Sequence, residues 1–431
     1  MRYFGSSGIR GIVNEKVDPD LSMKIGKAIG SLYDSVVIGK DPRPHGGMIE
    51  TALISGVLSQ GCDVYRAGMV STPTLAYSTR RFDCGIMVTA SHNTAEYNGV
   101  KLWNPDGRSF DTDQMEHVER LIDEPPKPVS WDEVGKIYAH RTSIEDHKDE
   151  ILNIFGTDHD LKVIVDCANG AGCSITPYIL QEMGCQVVAL NSNPDGRFPA
   201  HDPEPIEDNL QDLKNTVLDS GADLGLAHDG DADRLVGYDK EGRFLGGDQL
   251  LALFTSQFSE KVVVPVNSSM VIEELAEEVV RTKVGDVFVA EKIKEEDAQF
   301  GGEPSGTWIF PEMSYAPDAV YAAAFLVNLA GEIDISKKVE ELPEYPRKKG
   351  GFHVDGRYKL MKKLKNIYKE DLDPERLNFV DGIRIEYDEG WGLIRASGTE
   401  PKIRLTAEAK DESSLTSIYG DMKNKIQEMV R

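Results

Sequence analysis

Asp229, Gly230, Asp231, Ala232, Asp233 and Arg234 set three carboxylates on alternate positions and close them with a guanidinium. On extended chain, alternate residues point the same way, so the three acids can face one ion, uncrowded by Gly230 and Ala232. A divalent cation and Arg234 would roughly neutralise them, and all-oxygen ligation favours Mg2+, Mn2+ or Ca2+ over zinc. An EF-hand loop opens on a similar run of acids, but it needs Gly at its sixth position and Glu at its twelfth. Here those are Arg234 and Lys240. The bland alternative is an acidic surface turn that holds no ion.

A second group of reactive residues follows the apolar run Gly85, Ile86, Met87, Val88, which predicts a buried strand emptying into a polar loop at Ser91, His92 and Asn93. Serine is a weak nucleophile unless a base, a metal or a positive field activates it. His92, Lys101 and the cation of the aspartate loop are available for that. A Ser-His neighbour pair is ordinary in loops, since adjacent side chains on extended backbone point apart, and no Ser-His-Asp arrangement suited to acyl transfer accompanies it. Two further loops suit anions. Phe4 to Gly11 combines glycines and hydroxyls with Arg10, and Arg395 to Arg404 combines Ser397, Gly398 and Thr399 with two arginines. Backbone N–H groups at glycine approach phosphate closely, and the arginine fork grips its oxygens in pairs. A third segment, Gly301 to Thr307, offers Glu303, Ser305 and Thr307 without a base, a composition better matched to sugar hydroxyls than to phosphate. Each of these loops taken alone is also an ordinary glycine-containing turn.

Taken together and in order, these four motifs resemble the α-D-phosphohexomutase superfamily: Thr89 to Asn93 as its phosphoserine loop, Asp229 to Arg234 as its metal loop, Gly302 to Gly306 as its sugar loop and Arg395 to Arg404 as its phosphate loop. The resemblance spans the chain, and within the superfamily it is greatest to the archaeal phosphoglucosamine mutases, carried by Gly302 to Ile309 and Phe4 to Arg10. It implies an isomerase that moves phosphate between the 6 and 1 positions of glucosamine phosphate, through a phosphoserine enzyme and a hexose 1,6-bisphosphate. Phosphomannomutase or phosphoglucomutase activity is the alternative. It further implies phosphorylation of Ser91 and one Mg2+ per chain, held by the Ser91 phosphate, Asp229, Asp231 and Asp233. Arg10 and Arg234 would stabilise the transferring group, Lys101 would serve as acid, base or electrostatic support, and His92 lies beside the nucleophile. Glu303, Ser305 and Thr307 would meet the sugar, and Arg395, Ser397, Gly398, Thr399 and Arg404 the phosphate that is not reacting. The general base is left open. Two positions depart from the common pattern: Thr94 where many members carry Pro, and Thr307 where phosphomannomutases and bacterial glucosamine mutases usually carry His. A metal-dependent phosphatase and a silent sugar-phosphate-binding paralogue are the rival classes; the first would have no use for a sugar loop and a second phosphate loop.

The frame that must position these loops is readable from length and pattern. At 431 residues, three or four domains of ordinary size are expected, each with its own core. The runs Val36 to Asp41, Lys162 to Asp166 and Lys261 to Asn267 are strands, each followed by a helical pattern and a second strand. Those second strands are read at Asp63 to Tyr65, Gln186 to Leu190 and Asp286 to Val289. This loose repeat of strand-helix-strand units predicts three related α/β domains with mixed sheets, over 1–138, 139–240 and 241–342. A smaller C-terminal α+β domain over 348–431, ordered strand, helix, two strands, helix, follows a proline-rich charged hinge between Glu340 and Gly350. One motif falls in each domain, so the site is expected in a central cleft.

The balance of 48 basic against 73 acidic residues, a net charge of −25, argues against nucleic acid or a membrane surface as partner. Anionic substrates must be drawn by local arginine loops. Five cysteines without a Cys-x-x-Cys pair read as buried thiols of a reducing compartment. No signal peptide and no apolar run of about 18 residues is visible, which fits a cytoplasmic protein acting as monomer or homodimer. The longest apolar stretch, Ala316 to Ala330, reads as a buried helix.

Overall fold

A computed structural model describes residues 2–5, 7–258, 260–397 and 401–430. The described residues build four sheets. The first orders its strands Ile9–Ile12, Tyr97–Trp103, Cys84–Val88, Ser35–Lys40, Asp63–Met69, Ile137–Ala139; the second Phe244–Leu245, Leu235–Asp239, Leu224–His228, Lys162–Asp166, Gln186–Leu190; the third Glu278–Thr282, Lys261–Pro265, Phe300–Glu303, Thr307–Ile309. Each of these three is mixed; the expected strand-helix-strand unit returns as a parallel pair in the first two, whereas in the third Lys261–Pro265 pairs in parallel with a strand not expected, Glu278–Thr282. Strands such as Lys162–Asp166, with Val163, Ile164 and Val165 all buried, are covered on both faces, which is why they read as unbroken β-branched runs. The fourth sheet, Arg347–His353, Lys402–Ala409, Gly390–Ala396, Ile383–Tyr387, Leu377–Asn378, is antiparallel throughout. Helices Arg357–Asp371 and Glu412–Val430 complete this unit. Helix Ala319–Glu332 is buried as expected, started by Asp318, whose carboxylate accepts from Tyr321 N.

Several expectations change. Asp286 to Val289 is not a strand but the start of helix Asp286–Glu296; the strand is Glu278–Thr282. The helix that precedes it, Ile272–Leu275, is a single turn, so the crossover closes earlier than a repeat of equal lengths suggests. Val287, Ala290 and Ile293, three residues apart, form the buried stripe. The hinge is shorter than expected. Helix Ile335–Glu341 runs into its beginning, and Arg347 to Gly350 already belong to a strand. Arg347 pins that strand, giving 2.8 and 3.2 Å hydrogen bonds to Asp248 and one of 2.6 Å to Glu408. Among the described residues the last unit has four strands, not two, between its helices. Nor are the cores all separate: besides clusters of their own, the second and third units have one apolar cluster in common, running from Ile151 and Val163 to Phe300, Tyr321 and Val339 and taking in Tyr77 of the first. All five cysteines are buried and unbridged. Among the described residues no single helix is long and apolar enough to cross a membrane.

Candidate active site

Four loops leave the carboxyl ends of four strands, the edge where ligands settle in open α/β sheets. Strand Cys84–Val88, buried at every residue, delivers Ser91. The chain turns there into the left-handed region, with φ +53° at Ser91, and this turn defeats the rule that neighbours point apart. Ser91 Oγ lies 3.2 Å from His92 Nδ1, 2.7 Å from Asp229 Oδ2 and 3.5 Å from Asp233 Oδ1. Ser91 itself is 1 % exposed.

Strand Leu224–His228 delivers the aspartates. Their loop is a tight turn rather than extended chain: Ala232 has φ +57°, and Asp229 Oδ1 accepts from the backbone N–H groups of Asp233 and Arg234 at 3.0 and 3.2 Å. The three carboxylates converge all the same, with one oxygen from each within 4.8 Å of the others. Burial, then the charges of Asp233 and Asp231, hold the Asp229 carboxyl well above the usual carboxylate range. Asp231 Oδ1 is buried with no hydrogen-bond partner among the described residues. Crowded, buried oxygen donors with an orphaned lone pair suit a hard divalent cation.

Lys101 reaches the triad from strand Tyr97–Trp103, its Nζ 2.5 Å from Asp233 Oδ2 and 3.0 Å from Asp231 Oδ2. Burial disfavours its charge, but Asp231 and Asp233 outweigh burial and raise its ammonium above the ordinary range. Lys101 therefore stands as a cation beside the triad. Arg10 stands on the adjoining strand Ile9–Ile12, opposite Gly99, where an added Cβ would meet the Arg10 side chain at 3.0 Å. His92 is driven down to about 3, by burial first and then by Arg234 and Arg10, so its imidazole is neutral. Arg234 Nε is buried without a hydrogen-bond partner among the described residues.

The sugar-loop residues gather in the hairpin of Phe300–Glu303 and Thr307–Ile309. Thr307 Oγ1 lies 3.3 Å and Ser305 Oγ 3.4 Å from Glu303 Oε2. This hairpin is fastened to the aspartate loop: Leu235 N donates to Gly306 O at 2.9 Å, and Trp308 Nε1 to Leu235 O at 3.0 Å. Burial, and then the carboxylate of Asp286, raise Glu303 to about 7.

Arg395 and Arg404 face each other across paired strands and, with Asn267, Lys349 and Lys402, line a cavity of about 370 Å3. Arg395 is also held by Asp381 at 2.7 Å, and Asp381 accepts from Val284 N at 3.1 Å, so the last unit is tied to the third. Ser397 is buried, its carbonyl accepting from Arg357 Nε at 2.7 Å. Gly398 and Thr399 lie outside the described residues, as does Ser6 of the first glycine loop.

Sequence reasoning missed four contributors. Thr72 donates to Asp231 Oδ2 at 2.6 Å. Asp286 has Lys101, Asp233, Arg10 and Arg234 as charged neighbours. Asn267 brings to the arginine cavity a buried Oδ1 with no hydrogen-bond partner among the described residues. Arg43 is the fourth; a lone arginine between two prolines directly after a strand was the available signal.

Known family domains match four successive segments of the chain. The phosphoglucomutase/phosphomannomutase models match as alpha/beta/alpha domain I over residues 1–128, domain II over 145–242, domain III over 246–346, and the C-terminal domain over 346–425. The chain belongs to the phosphoglucomutase/phosphomannomutase family. It is 48 % identical over 436 residues to a protein of Methanocella arvoryzae named "Probable phosphoglucosamine mutase", covering 100 % of this chain and 99 % of that one. A protein of the same name from Methanosarcina acetivorans is 50 % identical over 437 residues, covering 99 % of each. A crystal structure of a phosphoglucomutase/phosphomannomutase family protein from Burkholderia thailandensis superposes with a TM-score of 0.90 at 29 % identity, over 99 % of this chain and 97 % of that one.

Proposed function

We propose that this member of the family is a phosphoglucosamine mutase, interconverting glucosamine 6-phosphate and glucosamine 1-phosphate with Ser91 as the phosphate carrier. One observation carries the reading: a buried serine hydroxyl 2.7 Å from one carboxylate of a three-aspartate cluster, in a chain matched end to end by relatives bearing that name.

In the first half-reaction the P–Oγ bond of phosphoserine 91 breaks while a P–O bond forms to the free hydroxyl of the sugar phosphate, whose proton leaves to a base, and Ser91 Oγ takes up a proton. The resulting 1,6-bisphosphate turns around in the cleft. In the second half-reaction the Ser91 hydroxyl gives up its proton as Oγ bonds to the other phosphorus, the sugar O–P bond breaks, and the released sugar oxygen takes up a proton. Phosphoryl transfer depends mainly on positioning and charge stabilisation. Asp229, Asp231, Asp233 and a phosphate on Ser91 would hold one Mg2+, which when bound would neutralise charge on the transferring group. Lys101, held cationic, and Arg10 and Arg234 supply fixed positive charge around it. Glu303, Ser305 and Thr307 hold the sugar hydroxyls, and Arg395, Ser397, Gly398, Thr399 and Arg404 the distal phosphate. Neutral His92 can accept or donate a hydrogen bond at Oγ but adds no charge. Drawn by their sheets, the units carrying these loops depart from the bounds 1–138, 139–240, 241–342 and 348–431: Ala139 stays with the first, Phe244 and Leu245 with the second and Arg347 with the last.

Coupled assays with glucosamine 6-phosphate, glucose 1-phosphate and mannose 1-phosphate in parallel, with intact mass of the protein, test this. The expected outcome is highest kcat/KM for the amino sugar and one phosphate mass on the parent chain that Ser91→Ala lacks together with turnover. Full turnover by Ser91→Ala overturns the mechanism, and preference for either hydroxyl sugar overturns the substrate.

A further inference from the structure

Arg43 is among the largest fully buried side chains, and all five of its guanidinium N–H donors are engaged. Nε donates to Asp41 Oδ2 at 3.0 Å. The two terminal nitrogens donate to four carbonyls of one loop: Ser91 at 2.9 Å, Asn93 at 2.6 Å, Thr94 at 2.6 Å and Tyr97 at 3.0 Å. Asp41 in turn accepts from Thr89 Oγ1, which accepts from Ser91 N at 2.9 Å. The left-handed turn at Ser91 is thus gripped at both its N–H and its C=O. A single planar cation satisfying four converging carbonyls fixes their geometry in a way a mobile lysine does not.

The guanidinium face rests on a different unit. Its carbon lies 4.8 Å from the ring centroid of Phe198, a buried residue at φ +51°. The edge of the same ring abuts Gly230 of the aspartate loop: a Cβ at Gly230 would meet Phe198 at 3.2 Å and Ser91 O at 2.7 Å. Gly196 seats this segment directly on the Arg43 backbone, where a Cβ would meet Arg43 Cα at 2.2 Å. Arg43, Phe198 and Gly230 therefore form a continuous stack from the serine loop to the aspartate loop.

We infer that Arg43 and Phe198 are positioning residues that set the separation between Ser91 Oγ and the carboxylates of Asp229 and Asp233. The inference rests on the reading of Ser91 as phosphate carrier. Neither residue touches the reacting atoms; both act through the loops they hold.

The test compares Arg43→Lys, Arg43→Ala, Phe198→Leu and Ser91→Ala in full-length protein, by steady-state kcat and KM for glucosamine 6-phosphate at saturating Mg2+. A displacement of the order of 1 Å at a reacting centre lowers rate by up to about 100-fold, so kcat of Arg43→Lys is expected to fall about 10- to 100-fold with KM within about threefold. Phe198→Leu, which removes only a face contact and keeps every hydrogen bond, is expected to lose kcat in the same sense by a smaller factor. It carries the test if the arginine variants do not fold. Millimolar guanidinium is expected to restore kcat to Arg43→Ala and not to Ser91→Ala. Folded Arg43→Lys and Phe198→Leu with the parent kcat overturn the inference while an inactive Ser91→Ala leaves the carrier reading intact. A loss confined to KM also overturns it, and an active Ser91→Ala overturns both.

Discussion

Lys101→Met separates the two demands placed on the aspartate triad, stability and cation binding. In the protein the ammonium lies 2.5 Å from Asp233 and 3.0 Å from Asp231, and its side chain is 3 % exposed. Removing one partner of a buried ion pair costs about 3–5 kcal/mol, because the remaining charge is left uncompensated. Methionine keeps the unbranched apolar stem, so the packing change is expected to stay below about 1.5 kcal/mol. Asp229 is already pushed upward by burial and by its two neighbours, so without the ammonium the cluster calls for a positive charge, from a proton or a metal. A cation binding only the folded state at about a hundred times its Kd contributes about 2.7 kcal/mol, and in Lys101→Met that cation replaces the very charge that was lost. The measurement is the thermal midpoint of parent and variant in EDTA and in Mg2+. The expected result is a large deficit in EDTA that narrows in Mg2+, together with strongly reduced turnover. A variant that melts with the parent in EDTA, or a gap that widens in Mg2+, refutes the reasoning.

Three other outcomes are expected. Gly230→Ala places a methyl 2.7 Å from Ser91 O, so the serine loop must move several tenths of an ångström; kcat is expected to drop about 10- to 100-fold with little change in KM, measured in the same coupled assay. Glu303, raised to about 7 from 4.5, mainly by burial, ionises in the folded protein only as pH climbs through about 7. The unfolded chain loses that proton first, so the residue's contribution to stability falls between about 4.5 and 7 and is level above. KM for the sugar phosphate is expected to improve across pH 7 as the carboxylate becomes a stronger acceptor, and Glu303→Gln is expected to remove that step from the pH profile. Thr72→Val deletes a buried 2.6 Å hydrogen bond to Asp231; bonds to charged groups contribute about 1.5–3 kcal/mol, so a loss of that order is expected in a denaturation series.

The chemistry was more legible than the scaffold. Asp229, Asp231, Asp233, Ser91 and Lys101 converge as expected, because short motifs carry their own constraints: a carboxylate run has few other uses, and the strand before Ser91 is marked by its buried apolar run. Yet the aspartates meet through a tight turn with Ala232 at φ +57°, not through the alternation of an extended chain. Side-chain type foretold the destination and not the path. Parallel strand pairs were readable wherever β-branched runs are buried on both faces, as in Lys162–Asp166. Val287 to Val289 misled because a short apolar run fits both periods, and only the neighbours at Ala290 and Ile293 make it helical. Thr72 and Asp286 escaped notice for a different reason: each acts across sequence distances that no local pattern encodes, as the 159-residue separation of Thr72 from Asp231 illustrates. The common core of the second and third units is likewise a property of packing alone.

The five buried, unbridged cysteines give the molecule an internal clock. Cys62 and Cys84 lie in the apolar core of the first unit and Cys167, Cys173 and Cys185 in the core common to the second and third, while the sequence places none beyond residue 185. Burial raises Cys62 to about 12 and Cys185 to about 11, so at neutral pH these two react with alkylating reagents only once their surroundings open. Pulse alkylation followed by peptide mass therefore times the exposure of the serine-bearing core against that of the aspartate-bearing core, while motion of the thiol-free final unit leaves the signal silent.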